Sequence, residues 1–116
     1  MKIAFDIRSN YKAGVFRYGV SLASGVLKLA PQVRHQITVI CEQDRYDALK
    51  NQFSNIPGWS EANLYVAPGD DRYVRNNPEL RKWLAAEGFD LYYSSNYAID
   101  PQTPIPFVFI IHDLIP

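Results

Sequence analysis

Short apolar runs that alternate with segments of helical period restrict the fold of this chain more than any other feature. β-branched and aromatic residues fill the runs, whereas apolar positions recur at a helical spacing between residues 15 and 29. Asp44 and Asn77 are candidate helix caps, and Gly88 is a candidate helix end. The predicted strands cover residues 2–7, 36–41, 63–67, 90–94 and 107–111, and the predicted helices cover 15–29, the stretch after Asp44 and 77–88.

Strands that alternate with helices predict right-handed crossovers and a mostly parallel sheet with both faces covered. The expected fold class is therefore α/β, doubly wound and Rossmann-like. A chain of 116 residues has the size of a single domain, so we assign residues 1–116 to one unit. No helix follows the strand at 107–111, so we expect an uncovered sheet edge, self-association of this chain and a longer parent protein.

The charge balance argues against polyanionic partners. Twelve basic side chains offset twelve acidic ones, so we expect no binding to nucleic acid. The single cysteine, Cys41, stands in an apolar run and is interpreted as a small core residue. The first residues do not resemble a secretory signal, and no apolar run reaches the ~18 residues of a membrane span. We expect a cytoplasmic location, or the inner membrane surface for the parent.

A candidate ligand site lies at the carboxyl ends of the predicted strands, because parallel sheets bind ligands there. Residues 8–18, 94–97 and 112–113 follow three of these strands. Gly14 opens the first helix, whose free N–H groups would face an anion such as a phosphate, and Arg17 lies one turn inside. Gly14 is equally compatible with a tight turn that has no ligand.

His112 follows an apolar strand, where an imidazole could reach the cleft, and Asp113 could fix its tautomer. Ser94, Ser95 and Asn96 supply hydroxyl and amide groups suited to sugar hydroxyls. Purely structural roles remain open for all five: a strand-end histidine, a turn or helix cap at Asp113 and a turn at 94–96.

The sequence contains no signature of a bound metal or cofactor. Its two histidines and one cysteine do not have the spacing of a metal site. It also lacks the G-x-G-x-x-G fingerprint of dinucleotide binding and the Walker loop of nucleoside triphosphate binding. We therefore expect no metal and no cofactor.

Four stretches, in this order and spacing, resemble the N-terminal domain of GT-B glycosyltransferases of family 4 (glycosyltransferase group 1). The resemblance covers almost the whole chain, although each motif is short and only the joint order is specific. Phe16, Tyr93 and Ser95 depart from it, because relatives often have a second small residue, a histidine and a proline, respectively, at these positions. The stretches are MKIAFD at 1–6, GVFRY at 14–18, DLYYSSNY at 90–97 and IHDLIP at 111–116.

The resemblance implies the acceptor-side Rossmann-like domain of an enzyme that transfers a sugar from a nucleotide-sugar donor to an acceptor hydroxyl. It also implies retention of configuration, no metal, and an acceptor that is a glycan, a lipid or a small molecule. By resemblance, Gly14 and Arg17 lie near the donor phosphates and the acceptor, and His112 faces the transferred sugar. The family's two glutamates separated by seven residues belong to the C-terminal domain, which this sequence does not contain, so we expect the chain alone to be inactive.

A stand-alone flavodoxin-like or regulatory module is the alternative. Such a module would use the same strand ends to bind a small anion or a partner without chemistry.

Overall fold

The computed structural model describes residues 1–8, 13–67, 77–95 and 100–110. Five strands and three α-helices alternate along these segments, with 3₁₀ turns at Gln43–Arg45 and Glu61–Asn63. No helix within these segments is long and apolar enough to span a bilayer. The elements are β1 (Lys2–Asp6), α1 (Ala13–Val33), β2 (Gln36–Cys41), α2 (Tyr46–Phe53), β3 (Leu64–Val66), α3 (Pro78–Ala86), β4 (Leu91–Ser94) and β5 (Phe107–Phe109).

All five strands form one parallel sheet in the order β3-β2-β1-β4-β5. The predicted doubly wound, Rossmann-like α/β fold is confirmed. A flavodoxin-like sheet has the order 2-1-3-4-5, which would place β3 beside β1. Here β1 pairs with β2 on one side and with β4 on the other, so the flavodoxin form of the alternative does not fit.

Strand residues alternate between two apolar layers because successive side chains point to opposite faces of a sheet. Helices α1 and α2 cover one face, while α3 covers the other. Ile105, in the connection from β4 to β5, also packs on the α3 face. The α1 layer includes Phe5, Val20, Ala23, Leu27, Val39, Leu49, Phe53 and Tyr93, and the α3 layer includes Ala4, Ile40, Leu80, Leu84, Phe89 and Tyr92.

Helix α1 is longer than the predicted 15–29, and it runs past Pro31 to Val33. A proline in the last turn removes only one N–H donor from the helix ladder, so the helix need not stop there. Arg34 then adopts φ 58°, and the N–H of His35 bonds to the Ala30 carbonyl oxygen at 3.1 Å. This is a Schellman ending with arginine in the position that glycine usually occupies.

The predicted cap of α2 is wrong, whereas the predicted cap of α3 is confirmed. Asp44 lies inside the 3₁₀ turn that precedes α2, and α2 begins after Arg45 without a side-chain cap. In α3, the Asn77 Oδ1 accepts the Leu80 N–H at 3.0 Å, with Pro78 in the first turn. Gly88 ends this helix at φ 70°.

Strand β5 lies at the sheet edge and is shorter than the predicted 107–111. Its side chains are exposed on both faces: 37% for Phe107, 48% for Val108 and 40% for Phe109. Among the described residues, β5 is thus an apolar edge strand with exposed side chains, and self-association of the chain stays a prediction.

Gly19 allows α1 to approach the sheet closely, and we predict that substitution there is costly. A Cβ at Gly19 would lie 3.0 Å from the Ser95 Oγ and 3.2 Å from the Ile7 Cβ. Because both neighbours are buried, Gly19→Ala should lower the free energy of unfolding by about 1–3 kcal/mol in urea titrations.

Gly25 provides the matched control in the same helix. A Cβ there meets no atom within 4 Å, so Gly25→Ala should leave stability unchanged or raise it by up to ~1 kcal/mol. Equal effects of the two substitutions would contradict the proposed role of Gly19.

Candidate functional site

The carboxyl ends of β1 and β4 form the topological switch point of the sheet. The chain leaves β1 toward α1 on one face, whereas the connection after β4 packs on the α3 face through Ile105. Open α/β sheets bind ligands in the crevice outside such a point. We call this end of the sheet the carboxyl rim, and it contains Asp6, Arg8, Cys41, Glu42, Ser94 and Ser95.

A buried ion pair occupies the centre of the carboxyl rim. Arg8 and Asp6 are 3% and 1% exposed, and the Arg8 Nη2 lies 2.7 Å from the Asp6 Oδ2. The Arg8 Nε and backbone N–H also donate to the Asp6 Oδ1, each at 3.0 Å. From β4, the Tyr92 hydroxyl donates to the same carboxylate at 2.5 Å. The Asp6 carboxylate therefore joins β1, the segment after it and β4.

The electrostatics of this cluster fix the protonation of Arg8 and Tyr92. Burial alone would lower the pKa of Arg8, but the Asp6 charge, the hydrogen bonds to Asp6 and the contribution of Tyr92 together outweigh burial, and the pKa is raised. Burial and the Asp6 charge hold the pKa of Tyr92 well above its ordinary value. Arg8 therefore stays cationic and Tyr92 stays a hydrogen-bond donor at neutral pH, which suits a rigid support rather than proton transfer.

Ser94 and Ser95 lie at the carboxyl rim as predicted, but both are buried. The Ser95 N–H and Oγ donate to the Asp6 carbonyl oxygen at 3.0 and 3.2 Å, and the Ser94 carbonyl oxygen accepts the Ile110 N–H at 3.2 Å. These contacts extend the sheet by one residue. They favour the structural interpretation of the serines over direct binding of sugar hydroxyls.

The helix that faces the rim carries two of the predicted binding residues. Gly14 belongs to the first turn of α1. The side chains of residues 13–15 are outside the described part of the structure. Arg17 is exposed one turn inside. The first turn of α1 has no acidic residue to neutralise the positive end of the helix dipole. This end can therefore attract an anion.

Three predicted site residues, Asn96, His112 and Asp113, lie outside the described part of the chain. His112 follows strand β5 in the sequence. Directly after this strand, the Ile110 N–H donates to the Ser94 carbonyl oxygen. The predictions for Asn96, His112 and Asp113 stay predictions.

The carboxyl end of β2 braces α1. The Arg45 Nη1 lies 2.9 Å from the Glu42 Oε2, and its guanidinium covers the Phe16 ring at 4.0 Å. Phe16, which departs from the small residue of the family pattern, is half-buried and packs on the α1 layer. The close approach of α1 to the strands is made instead at Gly19, where an added Cβ would lie 3.0 Å from the Ser95 Oγ.

Asp6 and Gly19 help to shape the rim but were not predicted as site residues, and Arg8 was predicted only as the first residue of the stretch 8–18. A detectable signal existed for the pair, because an aspartate inside an apolar strand and an arginine two residues later share one face. For Gly19, only the tertiary contact with Ser95 and Ile7 reveals the need for glycine.

A concave region lies at the opposite, amino end of the strands. Its volume is about 700 Å³, and its lining includes Trp59, Tyr65, Trp83 and Phe89. The Tyr65 and Trp83 rings stack on each other at 3.9 Å. Because doubly wound sheets bind ligands at the carboxyl ends, we assign the candidate site to the carboxyl rim. The described residues include no cluster of three or more side chains suited to a metal.

The ion pair at the rim predicts a large stability loss on substitution. Asp6→Asn keeps the shape but leaves the Arg8 charge buried without its carboxylate, so unfolding should become easier by about 3–5 kcal/mol. Tyr92→Phe removes one hydrogen bond to a charged group and should cost about 1.5–3 kcal/mol. Tyr65→Phe, on the half-buried face of β3, is the control and should change stability by less than ~0.5 kcal/mol. A loss below about 1 kcal/mol for Asp6→Asn in urea titrations would contradict this account.

Cys41 should be unreactive in the folded chain. It is completely buried, and burial, followed by the Glu42 charge, raises the pKa of its thiol to about 12. An unfolded thiol releases its proton near pH 9, whereas the folded state keeps it up to about pH 12. The folded chain therefore loses stability relative to the unfolded chain as pH rises from about 9 to 12.

Iodoacetamide at pH 8 should label Cys41 only as fast as the chain unfolds. Labelling in guanidinium chloride should match a free thiol and serves as the control. Rapid labelling of a chain with an unchanged circular dichroism spectrum would contradict burial of the thiol.

Comparison of the chain with protein-family models, curated proteins and solved structures gave no match.

Proposed function

We propose that this chain is the acceptor-side part of a GT-B glycosyltransferase, which moves a sugar from a nucleotide donor to an acceptor hydroxyl. One observation carries the proposal: residues from two separate motif stretches meet at the switch point of the sheet, beside the helix that contains a third stretch. Asp6 bonds to Ser95, and α1, which begins with the second stretch, contacts Ser95 through Gly19. A common place at a ligand-binding rim would explain why these motif stretches occur together in one sequence.

Two sets of residues would have different roles: buried side chains that support the rim, and exposed groups that touch the substrate. The buried Asp6, Arg8 and Tyr92 side chains hold the strand ends at fixed positions. Such rigid support lets exposed groups keep a productive geometry without reorganising during the reaction.

Anion recognition is assigned to the start of α1. Its N-terminal N–H groups carry partial positive charge that no acidic residue in the first turn offsets, and the Arg17 cation lies on an exposed surface nearby. A donor diphosphate, or an acidic group of the acceptor, has the matching charge. Gly14 would allow such an anion to approach the backbone closely.

His112 is proposed to orient the transferred sugar by a hydrogen bond that strengthens in the transition state. Retention of configuration and chemistry without a metal follow from the family resemblance. Asn96 and Asp113 are assigned supporting contacts at the same cleft. The nucleotide would be held mainly by the second domain of the parent, so the 116-residue chain alone should not turn over.

The test is a donor screen on the parent enzyme that contains this sequence. Uridine, guanosine, adenosine and thymidine diphosphate sugars would be incubated with glycan, lipid and small-molecule acceptors, and nucleotide release would be measured. Release that depends on an acceptor supports the proposal. No transfer with any donor, together with tight binding of a small anion by the 116-residue chain, would favour the regulatory module instead.

His112→Ala in the parent should reduce the transfer rate by about 10²-fold, because hydrogen bonds to developing charge have this magnitude. The melting temperature should change little. His35→Ala is the matched control: His35 lies at the amino end of β2, away from the rim, and contacts the Met1 amino group. Normal transfer with a lowered melting temperature in His112→Ala would make His112 structural.

A further inference from the structure

We propose that the concave region at the amino ends of β2 and β3 binds a ring of a neutral carbohydrate. We call this region the amino-end cavity, and the part that carries the inference is formed by Lys2, Tyr65, Trp83, Glu87 and Phe89. Its volume of about 700 Å³ lies within the range of small-molecule sites. The inference does not depend on the proposed function, because the amino-end cavity and the carboxyl rim lie at opposite ends of the strands.

Aromatic rings form one wall of the amino-end cavity, and they hold each other in place. The centres of the Tyr65 and Trp83 rings are 3.9 Å apart with 6° between the ring planes, and the Trp83 and Phe89 ring centres are 4.8 Å apart. Tyr65 and Trp83 are half-buried, so ring surface remains accessible to a ligand. Aromatic faces carry negative charge density, which attracts the C–H groups on the apolar face of a sugar ring. Because the rings are already fixed, binding requires little further ordering.

A hydrogen-bond donor and an acceptor lie beside this aromatic wall. The Lys2 Nζ is 4.7 Å from the centre of the Phe89 ring and 3.6 Å from the Glu87 Oε2. The Lys2 ammonium has three N–H donors, of which one goes to the Glu87 carbonyl oxygen. The Glu87 side chain is 52% exposed, so its carboxylate can accept from a ligand. Each sugar hydroxyl both donates and accepts, so neighbouring hydroxyls match an ammonium and a carboxylate that lie side by side.

The charge of the amino-end cavity favours a neutral ligand. The described residues that line it include one lysine and one glutamate but no arginine or aspartate, so the Lys2 and Glu87 charges cancel. A phosphate or a nucleotide would find no excess of positive charge there. A purely apolar ligand would remove water from both charges without replacing the lost hydrogen bonds, which is costly. A sugar ring has both the apolar face and the hydroxyls that this lining requires.

Tryptophan fluorescence of the 116-residue chain tests the inference, because its two tryptophans, Trp59 and Trp83, both line the amino-end cavity. The probes are maltotriose, cellotriose, mannotriose and triacetylchitotriose, which are neutral and differ in linkage and substituents. At least one of them should shift the emission saturably, with a dissociation constant of about 1 mM or lower. Trp59→Phe should retain this shift, because the emission then comes from Trp83, in the wall beside Phe89.

Two substitutions test the donor and the acceptor separately. Glu87→Ala removes the acceptor, and Lys2→Met removes the donor while an apolar stem stays near Phe89. Each should weaken sugar binding by about tenfold, the effect of one hydrogen bond to a charged group. Glu79→Ala is the matched control: this exposed glutamate lies at the other end of α3 and outside the lining, so affinity should be unchanged. Far-UV circular dichroism would verify that each variant is folded.

Three results would overturn the inference. The first is no emission shift with any of the four sugars at about 20 mM, a chosen concentration roughly twenty times the expected dissociation constant. The second is equal sugar affinity of wild type, Glu87→Ala and Lys2→Met. The third is loss of the shift in folded Trp59→Phe, which would place the sugar away from Trp83. Saturable binding of decanoate or inorganic phosphate, without a response to sugar, would assign the amino-end cavity to an apolar or an anionic ligand instead.

Discussion

The buried Asp6–Arg8 ion pair is the interaction on which the geometry of the carboxyl rim depends. Both side chains are withdrawn from water, so each charge requires the other and the surrounding donors. The Asp6 carboxylate holds Tyr92, and its carbonyl oxygen holds Ser95, so one residue positions the end of β4 as well as the end of β1. Displacement of Asp6 would therefore move both walls of the switch point together.

Close packing of α1 is the second condition for this geometry. Gly19 lets the helix approach Ser95 and Ile7, while the Arg45–Glu42 ion pair and the Phe16 ring hold the first turns of the helix against β2. The N-terminal end of α1 is thus fixed relative to three strand ends. A ligand that binds there would meet a preorganised surface, whose ordering cost is already met by folding.

The fold was predictable from local patterns, whereas the support of the rim was not. Apolar runs predicted the strands, and Asn77 and Gly88 predicted the limits of α3, because these signals act within a few residues of sequence. The end of α1 was mispredicted because the Schellman hydrogen bond to Ala30 outweighs the proline signal. Ser95 was interpreted as a ligand group because its contact with Asp6, 89 residues away, has no local signature.

The contrast between the centre and the edge of the sheet indicates how the chain distributes its polar interactions. At β1 and β4, the Asp6 carboxylate, the Tyr92 hydroxyl and the Ser95 backbone all find partners, which fixes the register of these strands. At β5, by contrast, the side chains are apolar and exposed. The buried polar contacts that fix strand positions are therefore concentrated at the switch point of the sheet, where the candidate site lies.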